Sequence, residues 1–196
     1  MKRRSLVLSS IALMACSFGA SRAGATEAAW ARLSTGGYTI LLTHALAPGT
    51  GDPPYFELDD CTTQRNLSDR GRQQASRRGV RFAARAVSIS QIYASRWCRT
   101  IDTATNAFRV DPELLEALDL VVDDPDTLAA NIEEIVEIIG KFRGPGNQVM
   151  VTHPEVVEAL TGIMPREGEA VIVAPARNSD GEEGPAVDVV ARLLLD

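Results

Sequence analysis

Tyr-Thr-Ile-Leu-Leu-Thr-His, at residues 38–44, is an apolar run that ends in a histidine, and Gln-Val-Met-Val-Thr-His at 148–153 repeats the pattern. Runs of this length and composition predict buried β-strands. In α/β proteins, ligands bind at the carboxyl ends of such strands. His44 and His153 are the only histidines of the chain, and imidazole is suited to proton transfer and nucleophilic attack near neutral pH. The sequence therefore predicts a functional site where the two strands end.

Composition limits the fold and the partners. The chain has 196 residues, 45% hydrophobic and 23% charged, which favours one well-packed domain over two. Its formal net charge is −6 and its pI is about 5.0. Nucleic-acid binders gain affinity mainly from basic contacts to phosphate, so this balance argues against a nucleic-acid partner. An anionic ligand would have to be attracted by local charges.

Predicted strands and helices alternate along the chain. The strands fall at residues 38–43, 92–95, 149–152, 170–174 and 187–194. The helices fall at 27–31, 68–84, 100–108, 126–142 and 154–162. This alternation predicts a single-domain α/β fold with three layers, α/β/α, around a mainly parallel sheet.

Two segments between the predicted elements have distinctive compositions. Residues 47–55 read Ala-Pro-Gly-Thr-Gly-Asp-Pro-Pro-Tyr, which neither a helix nor a central strand can accommodate, so we expect a long loop with a functional role. The helix that follows begins at Ser68 and Asp69, a favourable N-cap and first-turn pair. Its many arginines are expected mostly on solvent faces: Arg70, Arg72, Arg77 and Arg78.

The first 25 residues have the pattern of an export signal. Met1-Lys2-Arg3-Arg4 is followed by an apolar run at 6–18 that is too short to span a bilayer. Two processing sites stay open: cleavage before Thr26, or a lipobox that leaves Cys16 acylated. We therefore expect an exported domain at 26–196, periplasmic or secreted, with a lipid anchor in the second case. No other stretch is long and apolar enough to cross a membrane.

Export would place the remaining cysteines in an oxidising compartment. Cys61 and Cys98 form an even pair, which predicts a disulfide. The alternative is two buried thiols. A bridge between them would close a loop of about 37 residues and contribute roughly 3–4 kcal/mol in the chain-entropy model.

Four local patterns occur in order along the chain. They are Leu-Leu-Thr-His-Ala at 41–45, Asn-Leu-Ser-Asp-Arg-Gly-Arg-Gln-Gln-Ala at 66–75, Ser-Arg-Trp-Cys-Arg-Thr-Ile-Asp-Thr-Ala at 95–104, and Val-Thr-His at 151–153. Together they resemble the histidine phosphatase superfamily, also called phosphoglycerate-mutase-like. Its members carry Arg-His-Gly or Arg-His-Ala, Leu-Thr-x-x-Gly-x-x-Gln-Ala, Ser-x-x-x-Arg-Ala-x-x-Thr-Ala and a later histidine. The resemblance extends from about residue 38 to residue 173.

The resemblance implies a role for each matching residue. His44 would be the nucleophile that accepts a phosphoryl group, Arg99 would hold the phosphate, and His153 would be a second donor to it. Fixed Arg and His donors stabilise the charge of a phosphoryl group during in-line transfer. The implied activity is hydrolysis of a small phosphate monoester without a cofactor, and no metal-ligand spacing is present.

The chain departs from the family pattern at Thr43, where the family has its first arginine. A threonine hydroxyl cannot replace the bidentate guanidinium, and loss of one such donor typically costs about 10²–10³ in rate. Arg65 and Arg96 are candidates to replace it. The rival hypothesis is a pseudoenzyme that binds phosphate or a phosphorylated ligand without turnover. The general acid is open among four carboxyl groups: Asp52, Asp59, Asp60 and Glu155.

Overall fold

The computed structural model describes residues 22–166, 169–176 and 186–195, with residues 22–25 as backbone only. Cys16 and most of the predicted export signal lie outside these residues. The first helix, α1, covers Arg22–Thr35 and is longer than the predicted helix at 27–31. The predicted cleavage point before Thr26 falls inside it. None of the described helices has the length and apolarity that a bilayer span requires.

A six-stranded sheet lies at the centre of the fold. Its strands are β1 Thr39–Thr43, β2 Ile89–Ala94, β3 Glu113–Leu114, β4 Asn147–Thr152, β5 Glu169–Pro175 and β6 Val187–Leu194. Their order in the sheet is β3-β2-β4-β1-β5-β6. The pairings β1–β4, β2–β4 and β2–β3 are parallel, whereas β1–β5 and β5–β6 are antiparallel. The prediction of a mainly parallel sheet is confirmed.

Helices cover both faces of this sheet. The remaining four are α2 Asp69–Ala84, α3 Cys98–Phe108, α4 Pro125–Lys141 and α5 Pro154–Thr161. Helices α1, α2 and α3 bury Leu33, Phe82 and Ala104 against one face, together with Ile40 and Leu42 of β1. On the other face, α4 and α5 pack against a second cluster that includes Leu41 and Met150. The arrangement is the predicted three-layer α/β/α fold, because each strand presents alternate side chains to opposite faces.

The register of β1 and β4 positions the two histidines. Both strands are buried along their whole length, as expected for central parallel strands covered by helices on both faces. Thr43 is the register partner of Thr152, so both strands end at the same level. The next residue in each chain segment is a histidine. The backbone N–H of His44 donates to the Thr152 carbonyl at 3.0 Å and extends the alignment by one residue.

Helix α2 begins where predicted, but one of its arginines is buried instead of lying in solvent. Ser68 is the N-cap, and its hydroxyl accepts a hydrogen bond from the Gly71 N–H. The prediction that the helix arginines lie mostly in solvent is wrong for Arg78, which is fully buried. Arg78 lies four residues after Gln74 and four before Phe82, both of which are also buried. Helical spacing therefore turns the Arg78 side chain inward.

Candidate active site

The two histidine rings meet at the carboxyl edge of the sheet, with their centroids 5.6 Å apart. His44 follows β1, and His153 is the N-cap residue of α5 directly after β4. Pro154 occupies the first turn of α5, where a missing N–H costs nothing. His153 is 1% exposed, whereas His44 is only half-buried. The prediction that both strands deliver a histidine to one site agrees with this geometry.

Hydrogen bonding fixes the tautomer of His44. Its Nδ1 lies 2.8 Å from the Ala45 carbonyl oxygen, and a carbonyl only accepts, so Nδ1 carries the hydrogen. No described residue forms a hydrogen bond with Nε2. Burial, and then the charges of Arg99, Arg65 and Arg78, lower the pKa of His44 to about 4. At neutral pH the Nε2 lone pair is therefore free for nucleophilic attack.

His153 has both ring nitrogens engaged. Its Nε2 lies 3.0 Å from the buried Ser95 hydroxyl, and its Nδ1 lies 3.3 Å from Nη2 of Arg99. A guanidinium only donates, so Nδ1 accepts and Nε2–H donates to Ser95. Burial, followed by the charges of Arg99, His44 and Arg65, lowers the pKa of His153 well below its usual value. His153 is therefore neutral, and in this arrangement neither nitrogen donates to a ligand.

Arg99 and Asp52 form a buried ion pair beside His153. Nη1 of Arg99 lies 3.0 and 3.1 Å from the two carboxylate oxygens of Asp52. The Arg99 side chain is fully buried and that of Asp52 is 6% exposed. Burial alone raises the pKa of Asp52, but the Arg65 backbone N–H, the Arg99 charge and the Trp97 indole N–H outweigh it and hold the pKa below its usual value. Asp52 is therefore a carboxylate, not the proton donor that a general acid must be.

Arg65 lies close enough to the two histidines for its charge to lower the pKa of both. Its Nη1 donates to the Ala47 carbonyl at 2.7 Å, and its backbone N–H donates to Asp52 at 2.9 Å. Its Nε is buried, and no described residue accepts a hydrogen bond from it. Arg65 therefore brings a second guanidinium to the site, as the sequence suggested.

A disulfide joins the two segments that carry these arginines. Cys61 and Cys98 are bonded, with their Cα atoms 5.7 Å apart, which confirms the predicted pair. Cys98 begins α3 and directly precedes Arg99. Beside the bridge, the Cys98 backbone N–H donates to the Gln64 side-chain oxygen at 3.0 Å. The bridge and this hydrogen bond fix the Arg65 loop against the start of α3.

Arg78 binds the backbone of Thr43 at the end of β1. Thr43 is 3% exposed, and its carbonyl accepts a hydrogen bond from Nη1 of Arg78 at 2.9 Å. The charge of Arg78 also lowers the pKa of His44. A buried guanidinium thus lies next to the strand end where the family pattern has arginine, although it reaches that place from α2.

The other predicted candidates lie in different settings. Arg96 does not take the place proposed for it beside Thr43, because its guanidinium forms ion pairs with Asp119 at 2.6 Å and Glu116 at 3.0 Å. Asp60 caps the turn Cys61–Thr63 by accepting from the Thr62 N–H, and the Thr62 hydrogen bonds lower its pKa. The other two candidate carboxyl groups are exposed: Asp59 and Glu155.

A small cavity lies beside the nucleophile. Its volume is about 190 Å³, room for about six water molecules, and it is lined by Thr43, His44, Pro154 and Arg166 among others. Pockets for drug-sized ligands are larger, about 300–1,000 Å³. The cavity is therefore smaller than such pockets, and its lining includes His44 and Arg166 but not Arg99, Arg65 or His153. Among the described residues, no cluster of histidine, cysteine and carboxylate side chains could hold a metal ion.

Sequence reasoning missed two site residues. The inward position of Arg78 could have been found from its spacing to Gln74 and Phe82, which place all three on one helix face. Ser95 is the first residue of the third sequence pattern, but its hydrogen bond with His153, 58 residues away, could not be predicted from that pattern.

The fold has been solved many times, although no family model and no curated protein sequence matches the chain. It superposes on the protein histidine phosphatase SixA complexed with tungstate, with 15% identity, coverage of 70% of this chain and 87% of SixA, and a TM-score of 0.51. The chain has the histidine phosphatase fold. YhfR of Bacillus stearothermophilus superposes with 17% identity over 79% of this chain and 95% of YhfR, with a TM-score of 0.55.

A third structure with the histidine phosphatase fold is a mutant phosphoserine phosphatase of Entamoeba histolytica in complex with phosphoserine. It has 12% identity, covers 71% of this chain and 91% of its own, and gives a TM-score of 0.52. The superpositions cover 87%, 95% and 91% of the three solved chains. Within the histidine phosphatase fold, His44, His153 and Arg99 lie together at the carboxyl edge of the sheet.

Proposed function

We propose that the protein is a phosphatase that hydrolyses a small phosphate monoester through a phosphohistidine at His44. The observation that carries the proposal is the neutral His44, with Nδ1 fixed on the Ala45 carbonyl and Nε2 free beside a cavity. A side chain in this state is an activated nucleophile that needs no separate base. SixA and phosphoserine phosphatase, which have the same fold, are phosphatases, and this supports the proposed reaction class.

The reaction would proceed in two displacements. Nε2 of His44 attacks the phosphorus in line with the ester oxygen, so a P–N bond forms while the P–O bond breaks and the leaving oxygen takes up a proton. Water then attacks the phosphohistidine and gives a proton to the group that protonated the leaving oxygen, while the P–N bond breaks and orthophosphate leaves. The guanidinium groups of Arg99 and Arg65 would stabilise the charge on the equatorial oxygens in both steps.

We assign the proton donated to the leaving oxygen to Glu155. It lies in the first turn of α5, two residues after His153, and its side chain is exposed. Its charge also acts on Arg99, which supports a position near the site. Asp52 is excluded from this role by its ion pair with Arg99.

A second function has support of its own. Thr43 lacks the guanidinium of the family pattern, and both nitrogens of His153 are already engaged. These features would suit a pseudophosphatase that binds phosphate or a phosphorylated ligand without turning it over.

Hydrolysis of an aryl phosphate distinguishes the two functions. The wild-type protein should release nitrophenol from nitrophenyl phosphate, and His44→Ala should not. A matched variant of a distant exposed residue, Asp111→Asn, should retain the wild-type rate. If the wild-type protein shows no turnover yet phosphate raises its melting temperature through binding to the native state, the pseudophosphatase is correct.

We also propose that the protein is exported, periplasmic or secreted. The proposal rests on the basic and apolar pattern of residues 1–25. Mass spectrometry of protein purified from its native cells should find a mature chain that begins at Thr26. An acylated N-terminal Cys16 would instead indicate a lipid-anchored protein, and an unprocessed Met1 would contradict export.

A further inference from the structure

Three donors converge on the carboxylate of Asp52. Nη1 of Arg99 lies 3.0 and 3.1 Å from its two oxygens, Nε1 of Trp97 lies 3.1 Å away, and the Arg65 backbone N–H lies 2.9 Å away. A guanidinium, an indole N–H and a backbone N–H are donors of the kind that stabilise oxyanions. The protein thus has an anion site next to His153, and its own side chain fills it.

While Asp52 is bound to Arg99, the Nη1 group of Arg99 is not available to a phosphoryl group. Arg99 gives Nη1 to Asp52 and Nη2 to His153, and its buried Nε has no acceptor among the described residues. A bidentate guanidinium contact needs two neighbouring N–H groups at once. An incoming phosphoryl group can use Nη1 in such a contact only after Asp52 leaves it.

Asp52 belongs to a segment that is otherwise exposed. Its neighbours at 48–51 and 53–55 all lie in solvent, whereas its own side chain is 6% exposed. Gly49 and Gly51 adopt φ values of 95° and 70°, which favour glycine and leave the segment able to change direction. The Asp52 carboxylate is therefore the buried group that holds this loop against the protein, while the residues on either side of it are exposed.

We propose that Asp52 is a built-in competitor for the phosphate site, and that a phosphoryl dianion displaces its carboxylate from Arg99. This inference rests on the proposed function and adds a specificity-determining residue to it. A dianion carries twice the charge of a carboxylate and gains more from the same guanidinium. Only the molecules in which Asp52 has left Arg99 can bind a ligand there. The apparent association constant is therefore the intrinsic one multiplied by the fraction of such molecules.

Calorimetric titration with tungstate, a tetrahedral dianion, tests the competition. Asp52→Asn keeps the shape of the side chain and removes its charge, and it should tighten tungstate binding by about 5–150-fold, the usual range for coupling between two binding events. Asp111→Asn removes an equivalent charge from an exposed position away from the site and should leave the dissociation constant unchanged. Limited proteolysis of the wild-type protein should cut residues 48–55 faster when tungstate is present.

The outcomes separate the inference from the proposed function. Equal or weaker tungstate binding by Asp52→Asn, or slower cleavage of the loop with tungstate, would overturn the competition and leave the phosphate site intact. If tungstate binds neither the wild-type protein nor Asp52→Asn, the anion site is absent and the proposed function fails together with the inference.

Discussion

Nη2 of Arg99 donates to Nδ1 of His153 across 3.3 Å, which fixes the second imidazole in its neutral form. A protonated ring would place an N–H against the guanidinium, so this contact disfavours the charged state. His44, whose ring lies 5.6 Å away, is neutral for a related reason: its surroundings are buried and already positive. The site therefore has two neutral imidazoles among cationic arginines.

The low pKa of His44 predicts activity far into the acidic range. The reactive neutral form exists above the pKa, so kcat/KM, corrected for ionisation of the substrate, should fall only as the pH drops through about 4 instead of the usual 6.5. Arg65→Met removes one of the charges that lower this pKa and should shift the acid limb to higher pH, whereas Arg77→Met, an exposed control, should not. A limb near pH 6.5 in the wild-type protein would contradict the described surroundings of His44.

Glu155 should matter only when the leaving group needs a proton. Glu155→Gln is expected to slow hydrolysis of an alkyl phosphate by about 10²–10⁴-fold and that of nitrophenyl phosphate only slightly, because nitrophenolate leaves without protonation. Glu158→Gln, on the same helix and also exposed, is the matched control. Equal losses on both substrates would assign Glu155 a structural role, and no loss on either would leave the acid to another group.

Thr43 should limit the rate. Thr43→Arg adds a guanidinium beside the cavity next to His44 and should raise the turnover of an aryl phosphate by about 10–10³-fold, the usual worth of one such donor. Thr43→Gln, similar in length but uncharged, should not. If Thr43→Arg leaves turnover unchanged while Arg65→Ala abolishes it, Arg65 already supplies the missing donor and the prediction for Thr43 is wrong.

The disulfide should stabilise both the fold and the site. Replacing Cys61 and Cys98 by serine frees a loop with a sequence separation of 37 and should lower the free energy of unfolding by roughly 3–4 kcal/mol. Urea unfolding without reductant measures the difference, and a dithiol added to the wild-type protein should reproduce it. Tungstate binding should weaken in the same variant, since Cys98 directly precedes Arg99. Identical unfolding midpoints would show that the bridge constrains neither state.

Much of the fold could be predicted because its signals are local. The apolar run of β1, the cap at Ser68 and the closing Gly162 of α5 each reflect neighbours in sequence. β3 was missed because two residues, Glu113–Leu114, cannot display a periodicity. They become a strand only because Tyr93 and Ala94 lie beside them in the sheet.

The site could be predicted only where strand ends or motifs mark it. His44, His153 and Arg99 were predicted in this way, and the register of β1 and β4 brings the two histidines together. The state of Asp52 could not be found, because it depends on Arg99, 47 residues later in the chain. An aspartate can be a general acid or the ion-pair partner of a buried arginine. The sequence shows the same residue in both cases, and only the contacts in the structure distinguish the two roles.

The central claim is that His44 is the residue that becomes phosphorylated. Rapid quench with a radiolabelled aryl phosphate, followed by peptide mapping, tests it directly. We expect an adduct on His44 that is labile in acid and stable in base, and His44→Ala should show neither adduct nor turnover. An adduct on another residue, or turnover that survives in His44→Ala, would contradict it.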